Sequence, residues 1–527
     1  MSCFPHTQLH LGSIHAIVAS GPHIQVLNIN TGEILYTTDR FDGADKDAIL
    51  KSGPVRCSAV NSSYQFLATV GDDKKLKVWE VGGLKVLSSR ELPKRPTRLE
   101  FTKSDDILVS DKFGDVFRYP LHASQAEASS SKLRRDAFSS HENPSGGELI
   151  LGHASLLTSF LLTADEEFIV TADRDEHIRV SWYPQGYNIV SYCLGHEKYL
   201  SALHIPQFSQ SSIVSGGGDP TLKIWELSSG QLQQEIAIFS TVEPFIRVRP
   251  LTRKEIKAEY EAKKTKSYKE NNGRQKQKGK EKSNAVGEDT ISTTLDNTAF
   301  DSNGTVFVVH KISSLDLEHG HYLVFNAVGA TAIFICPYPD GDGSSDIYFF
   351  DFGKPVIDFI IAHDGLVWTL LDSGWDSKVT ETVEVLPKKL VRVVQWNSGK
   401  FIEVHNLPLL VALNAHCMFP ASMADLKALD LYSDLSLLPK SPEVEQNFAD
   451  RETSEVLPYK VEEGISEHND AEKALGKREL GRLKHKRALQ AHLQLASQQG
   501  DRPDDVLPRG NGGEPKMKKV RSKSEDI

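Results

Sequence analysis

Short runs of alternating apolar and polar residues, each entered through a turn rich in Gly, Asp or Lys, recur along the first half of the chain. Five share one form: residues 24–28, 71–80, 112–119, 173–181 and 217–226. In the second, Leu76 and Val78 alternate with Lys75 and Lys77 before Trp79; this is the period of a strand with one buried face. Trp79 and Tyr119 lie 40 residues apart, and Ser181 and Trp225 lie 44 apart. A step of about 40–45 residues predicts one four-stranded unit per repeat. The second half is less regular. Strand-like runs at 304–310, 322–325, 331–336, 356–362, 366–371, 390–396 and 401–404 predict two to three further units, seven in all.

The period, the turn Asp and the strand ending in an aromatic residue resemble WD repeats. The fold class they imply is all-β, a seven-bladed WD40 β-propeller over residues 1–440, with early and late strands pairing to close the ring. Gly152-His153 and Gly195-His196 stand before the two best-formed repeats. His196, Ser215, Asp219 and Trp225 supply a complete structural network of the WD type. His153, Thr171 and Asp175 supply most of a second, with Ser181 where Trp is expected and Trp182 one place late. Such networks satisfy buried polar groups and fix blade geometry. That structural role accounts for a His/Ser/Asp set without invoking a catalytic triad.

Composition breaks mark what lies outside the repeats. Residues 122–147 hold a Ser/Ala/Glu-rich stretch, and residues 251–284 are Lys/Glu-rich; both read as insertions between strands. An acidic linker is expected at 441–468, a basic helix at 469–499 with Asn469 as N-cap, and a basic tail at 500–527. The net charge of −10 hides this asymmetry. Residues 247–282 carry +9 and residues 473–527 carry +7, leaving −26 on the rest. An acidic body repels phosphate, so polyanion contact is assigned to the basic arms. No apolar run approaches the roughly 20 residues of a membrane span, and no secretory leader is expected at the start. The five cysteines are widely spaced with no CxxC pair, which argues against a zinc cage or a disulfide framework.

Signals for chemistry are weak. Ser215-Gly-Gly-Gly-Asp-Pro220 invites a nucleotide-loop reading, but it leads into a strand, so no helix N-terminus faces a phosphate. His6 and His10 have the spacing of a helical zinc pair without the Glu or the helix. No Walker Lys and no paired catalytic carboxylates are found. The chain is expected to have no catalytic residue, no metal and no cofactor of its own, and a propeller of this kind serves as an interaction platform. Its most unusual turn is Asp173-Arg-Asp-Glu-His-Ile-Arg179. Arg174, Glu176, His177 and Arg179, with Lys112 on the preceding repeat's turn, are either a solvated rim of weak ion pairs or a charged docking patch.

Four stretches carry a family resemblance: residues 92–101, 109–116, 151–157 and 169–181, followed by 187–196. They resemble the WD-repeat, non-catalytic subunit of eukaryotic tRNA (guanine-N7)-methyltransferase, over roughly residues 1–235. The resemblance implies a heterodimer with a separate catalytic subunit that carries S-adenosylmethionine and methylates N7 of a guanine in the tRNA variable loop. It implies that Arg179 pairs with a carboxylate of that subunit, and it places the protein in the nucleus, where the tail run 515–523 resembles a basic import signal. Lys477, Arg478, Arg482, Lys484, Lys486 and Arg487 are the candidate tRNA-phosphate contacts. The alternative is a general WD40 scaffold, such as a ubiquitin-ligase adaptor or a ribosome-assembly factor.

Overall fold

Seven four-stranded antiparallel sheets make up the computed structural model, which describes residues 2–122, 146–250, 306–339, 346–372, 374–375 and 389–439. Each sheet is four strands consecutive in sequence, so the blades run 8–37, 57–91, 96–152, 157–193, 200–237, 309–351 and 356–404. This is the seven-bladed β-propeller. The first strand of each blade lies innermost and the fourth outermost. The five repeats read from the sequence are the third strands of blades 1 to 5.

Those third strands bury residues on both faces because they are sandwiched between neighbouring blades. In blade 5, Leu222, Lys223, Ile224 and Trp225 in succession are all buried, and Trp225 packs with Val170, Val180 and Cys193 of blade 4. Burial of each such side chain stabilises by about 1.5–3 kcal/mol. The Gly216-Gly217 pair is explained by this packing. A Cβ on Gly217 would sit 2.0 Å from the Tyr199 carbonyl oxygen, and one on Gly216 would meet Leu222 at 2.8 Å. The glycine run serves close strand approach.

Ring closure differs from the expected pairing of early and late strands. No blade among the described residues mixes the two ends. Blades 1 and 7 instead share an apolar cluster completed by the helix Pro408–Ala415. Leu9, Ala16, Val18 and Leu27 meet Trp368, Leu370 and Val393, with Leu409, Leu410 and Leu413 wedged among them. Asn414 pins the wedge by accepting from the Leu390 and Val391 amides and donating to the Val391 carbonyl. A single bridge, Cys3 to Pro420, with the Phe4 amide bonding the Phe419 carbonyl, ties the two chain regions together.

Residues 416–439 then cross the propeller face that carries the turns between second and third strands. Arg56 of the entry to blade 2 donates to the carbonyls of Ala428 (2.7 Å) and Leu429. Tyr432 donates to Asp372 at the blade 7 rim (2.7 Å). Leu435 and Leu438 close over Tyr199, Val306, Val308 and Val328. The sequence pattern does not separate this cap from the last blade. Compact unit Met1–Val444 holds the propeller and cap; a second unit, Glu445–Ile527, lies outside the described residues. So do residues 123–145 of the first insertion, all of 251–284, and the linker, helix and tail.

Candidate functional site

Two histidine networks and one cavity lie along blades 4 and 5. In blade 5, Trp225 Nε1 donates to Ser215 Oγ (2.7 Å). Ser215 Oγ lies 2.7 Å from His196 Nε2, and His196 Nδ1 lies 2.5 Å from Asp219 Oδ2. All four residues are buried. The chain of bonds runs from the strand aromatic to the turn carboxylate and leaves no donor spare for a substrate. This set is structural.

Blade 4 departs from the reading of its turn. His153 Nδ1 bonds Asp173 Oδ2 (2.9 Å) and Nε2 lies 2.8 Å from Thr171 Oγ1, so the turn carboxylate is Asp173 and not Asp175. Asp173 Oδ1 also accepts from the amides of Asp175 (2.9 Å) and His177 (3.1 Å). Burial would raise the Asp173 carboxyl, but these bonds and the two nearby imidazoles hold it below its usual range. Ser181 occupies the Trp225 position, is fully buried, and its hydroxyl has no hydrogen-bond partner among the described residues. Trp182 turns outward and rests on Phe168, ring centroids 4.7 Å apart.

Beside this second network lies an open cavity of about 410 Å³, lined by Gly152, His153, Asp173, His177, Arg179, Tyr192 and Leu194, with Ala154. Arg179 rises from the strand Ile178–Trp182 and is half-buried. Its Nη1 donates to the Gly152 carbonyl (3.2 Å), and Tyr192 stands opposite it across the strand pair. Its Nε is buried with no partner among the described residues. Burial lowers its pKa, with Tyr192 and Asp173 opposing; an arginine still stays charged at neutral pH. The site is a cation held at a cavity, and its guanidinium suits a carboxylate.

The other named residues fall nearby. Arg174, Glu176 and His177 form the turn after Asp173; Glu176 takes a left-handed backbone (φ 73°) and His177 Nδ1 lies 3.5 Å from Asp173 Oδ1. Lys112 sits on the equivalent turn of blade 3, with its Nζ 5.4 Å from the Phe113 ring centre and Lys94 at 4.3 Å from the same ring. Residues 153–156 separate the two turns, since the His153 amide bonds the Gly114 carbonyl and the Arg174 amide bonds that of Leu156. Lys112 is thus on the adjoining surface and does not line the cavity. His6 and His10 do not converge. His6 bonds Ser20 (2.6 Å) and the Leu413 carbonyl (3.0 Å), while His10 bonds Ser58 (2.7 Å). Tyr192 and Leu194 were missed, because nothing in the alternation alone says that their strand is outermost.

Part of the chain matches a known family. Residues 55–145 and 132–278 match the tRNA methyltransferase TRM82 WD40 domain. The TRM82 match takes in blades 2 to 5 and therefore both networks and the Arg179 cavity. A tRNA (guanine-N(7)-)-methyltransferase non-catalytic subunit trm82 of Aspergillus clavatus is 34% identical over 35% of this chain and 47% of its own length. The similarly named subunits WDR4 of Bos taurus and Homo sapiens are each 34% identical, over 37% and 36% of this chain and 42% of theirs. The chain spans about half the length of the curated relatives it matches. A computationally designed protein, Ika8, is similar at a TM-score of 0.39 and 14% identity over 76% of this chain and 86% of that one, too distant to bear on function. Among the described residues, no helix is long and apolar enough to cross a membrane.

Proposed function

We propose that the chain is the non-catalytic WD-repeat subunit of a tRNA (guanine-N7)-methyltransferase heterodimer. It holds a separate catalytic chain in a productive shape, and that partner carries S-adenosylmethionine and forms N7-methylguanine in the tRNA variable loop. The observation that carries this reading is the coincidence of the TRM82 WD40 match with the Arg179 cavity. A guanidinium held at the cavity by the Gly152 carbonyl suits a partner carboxylate, which its terminal nitrogens can receive. Arg174, Glu176 and His177 flank the contact and Lys112 extends it onto blade 3. The names of the relatives favour this role over that of a general scaffold.

Transfer RNA joins through the complex. Lys477, Arg478, Arg482, Lys484, Lys486 and Arg487 supply phosphate contacts that the −26 body lacks. The protein works in the nucleus, directed by the basic run 515–523; deleting 515–527 moves it to the cytoplasm, and an unchanged nuclear signal refutes that part. The main test is purification of the native protein, with tRNA N7-methylguanine measured after its deletion. A methyltransferase-sized partner and loss of the modified base are expected. Unchanged N7-methylguanine overturns the proposal.

A further inference from the structure

We propose that the outer edge of blade 4 is the apolar anchor for the catalytic subunit, which meets it with a patch of apolar side chains surrounding the carboxylate that Arg179 receives; this rests on the function proposed above. The edge exposes Trp182 (45%), Tyr187 (76%), Ile189 (42%), Tyr192 (44%) and Leu194 (64%). No other stretch of thirteen described residues exposes as many large apolar side chains. An outermost strand faces water and is ordinarily polar. The outer strands of the other blades each expose one or two large apolar side chains, such as Val86 on blade 2, Leu232 on blade 5 and Tyr348 with Phe349 on blade 6. Blade 4 exposes more: Ile189 and Tyr192 on its outer strand are joined by Tyr187 before it and Leu194 after it.

Geometry joins this edge to the cavity. Ile189 to Leu194 spans about 16 Å at about 3.3 Å per residue, and Tyr192 and Leu194 at its end are themselves lining residues of the Arg179 cavity. Tyr192 stands opposite Arg179 across the strand pair. At the other end the surface continues onto blade 3. Gly186 packs so closely that a Cβ there would meet the Ile150 carbonyl oxygen and Leu151 Cβ at 2.8 Å, and Leu149 on that strand is 45% exposed. An apolar rim that excludes water around a charged pair is what makes such a pair energetically decisive. A positive centre with an apolar border selects a partner surface of the complementary kind, a carboxylate among apolar residues.

The test uses the full chain and the purified catalytic subunit of the same organism. Tyr187→Ser and Leu194→Ser remove the two most exposed apolar groups of the edge, so the melting temperature of the isolated chain should not move. Each is expected to weaken the complex at least 10-fold, while Tyr187→Phe and Leu194→Met keep wild-type affinity. Retained affinity in both serine variants, with Arg179→Leu weakened, overturns the apolar anchor and leaves the proposed function standing. A wild-type chain that does not bind the catalytic subunit overturns both. Self-association of the wild type that Leu194→Ser abolishes assigns the edge to a second copy and overturns the proposal.

Discussion

Arg179 and Tyr192 face each other across the third and outer strands of blade 4, and both line one cavity. The bond from Arg179 Nη1 to the Gly152 carbonyl (3.2 Å) restrains a guanidinium that would otherwise sample more rotamers. The cation is therefore presented in one geometry before any partner arrives, which lowers the ordering cost of association.

Replacing Arg179 should for that reason affect assembly more than folding. Arg179→Leu is expected to weaken the complex by about 2–5 kcal/mol, much of it from the partner carboxylate left unpaired. Calorimetric titration measures this, beside a thermal melt of the isolated chain. Equal affinity of variant and wild type would defeat the docking role, and a large fall in melting temperature would show a structural role instead.

The blade 5 network predicts the opposite division. His196→Ala removes the group that joins Asp219 to Ser215 and Trp225. Asp219 then keeps the Glu197 amide (3.2 Å) as its donor in a buried site. Stability should fall by about 3 kcal/mol, read as a lower denaturant midpoint with altered Trp fluorescence. A change under about 0.5 kcal/mol would show that the network adds nothing to the fold.

Ser181 offers a stabilising change. Its hydroxyl is buried without a partner in the place where blade 5 has Trp225. Ser181→Ala should leave stability unchanged or raise it by up to about 1 kcal/mol. Chemical denaturation measures it, and a loss of stability would reveal a hydrogen bond to that hydroxyl.

Acid should weaken the fold partly through His6. Burial brings its pKa down from 6.5 to about 4, opposed by its bond to the Leu413 carbonyl. Between these values the unfolded chain takes up a proton that the folded chain refuses. Stability from this group is complete above about pH 6.5 and drains as pH falls towards 4, by about 2 kcal/mol from about pH 7 to about pH 5. Glu100 acts in reverse: burial raises it to about 7, so its contribution is lost as pH rises through that value. His6→Gln should flatten the acid side of the stability profile. An unchanged slope would show that His6 is not neutral and buried in the folded chain.

The basic run at 477–487 carries a salt-dependent prediction. Neutralising Lys477, Arg478, Arg482, Lys484, Lys486 and Arg487 in the assembled complex should weaken tRNA binding and make its salt dependence shallower, with the heterodimer intact. An unchanged salt slope rejects phosphate contact, and lost assembly assigns the run to the protein interface.

By itself the sequence determined the parts whose physics is local. A strand that ends in Trp79, Tyr119 or Trp225 after a polar turn has a period of two whatever surrounds it, so the third strands of blades 1 to 5 and the number of blades were legible. So was the blade 5 network, because Ser215, Asp219 and Trp225 stand at fixed strand offsets. Tertiary structure decided the rest. Asp173 and Asp175 are chemically equal two residues apart, and only the approach of residues 153–156 selects the first for His153. The wedge of Leu409 and Leu413 could not be told from one more buried strand, since apolar runs do not say which neighbours they will meet. The alternation around Ile189, Tyr192 and Leu194 is that of any half-buried strand. Whether its outward residues meet a neighbouring blade or water depends on where the ring places that strand, and the ring sets it at the open rim.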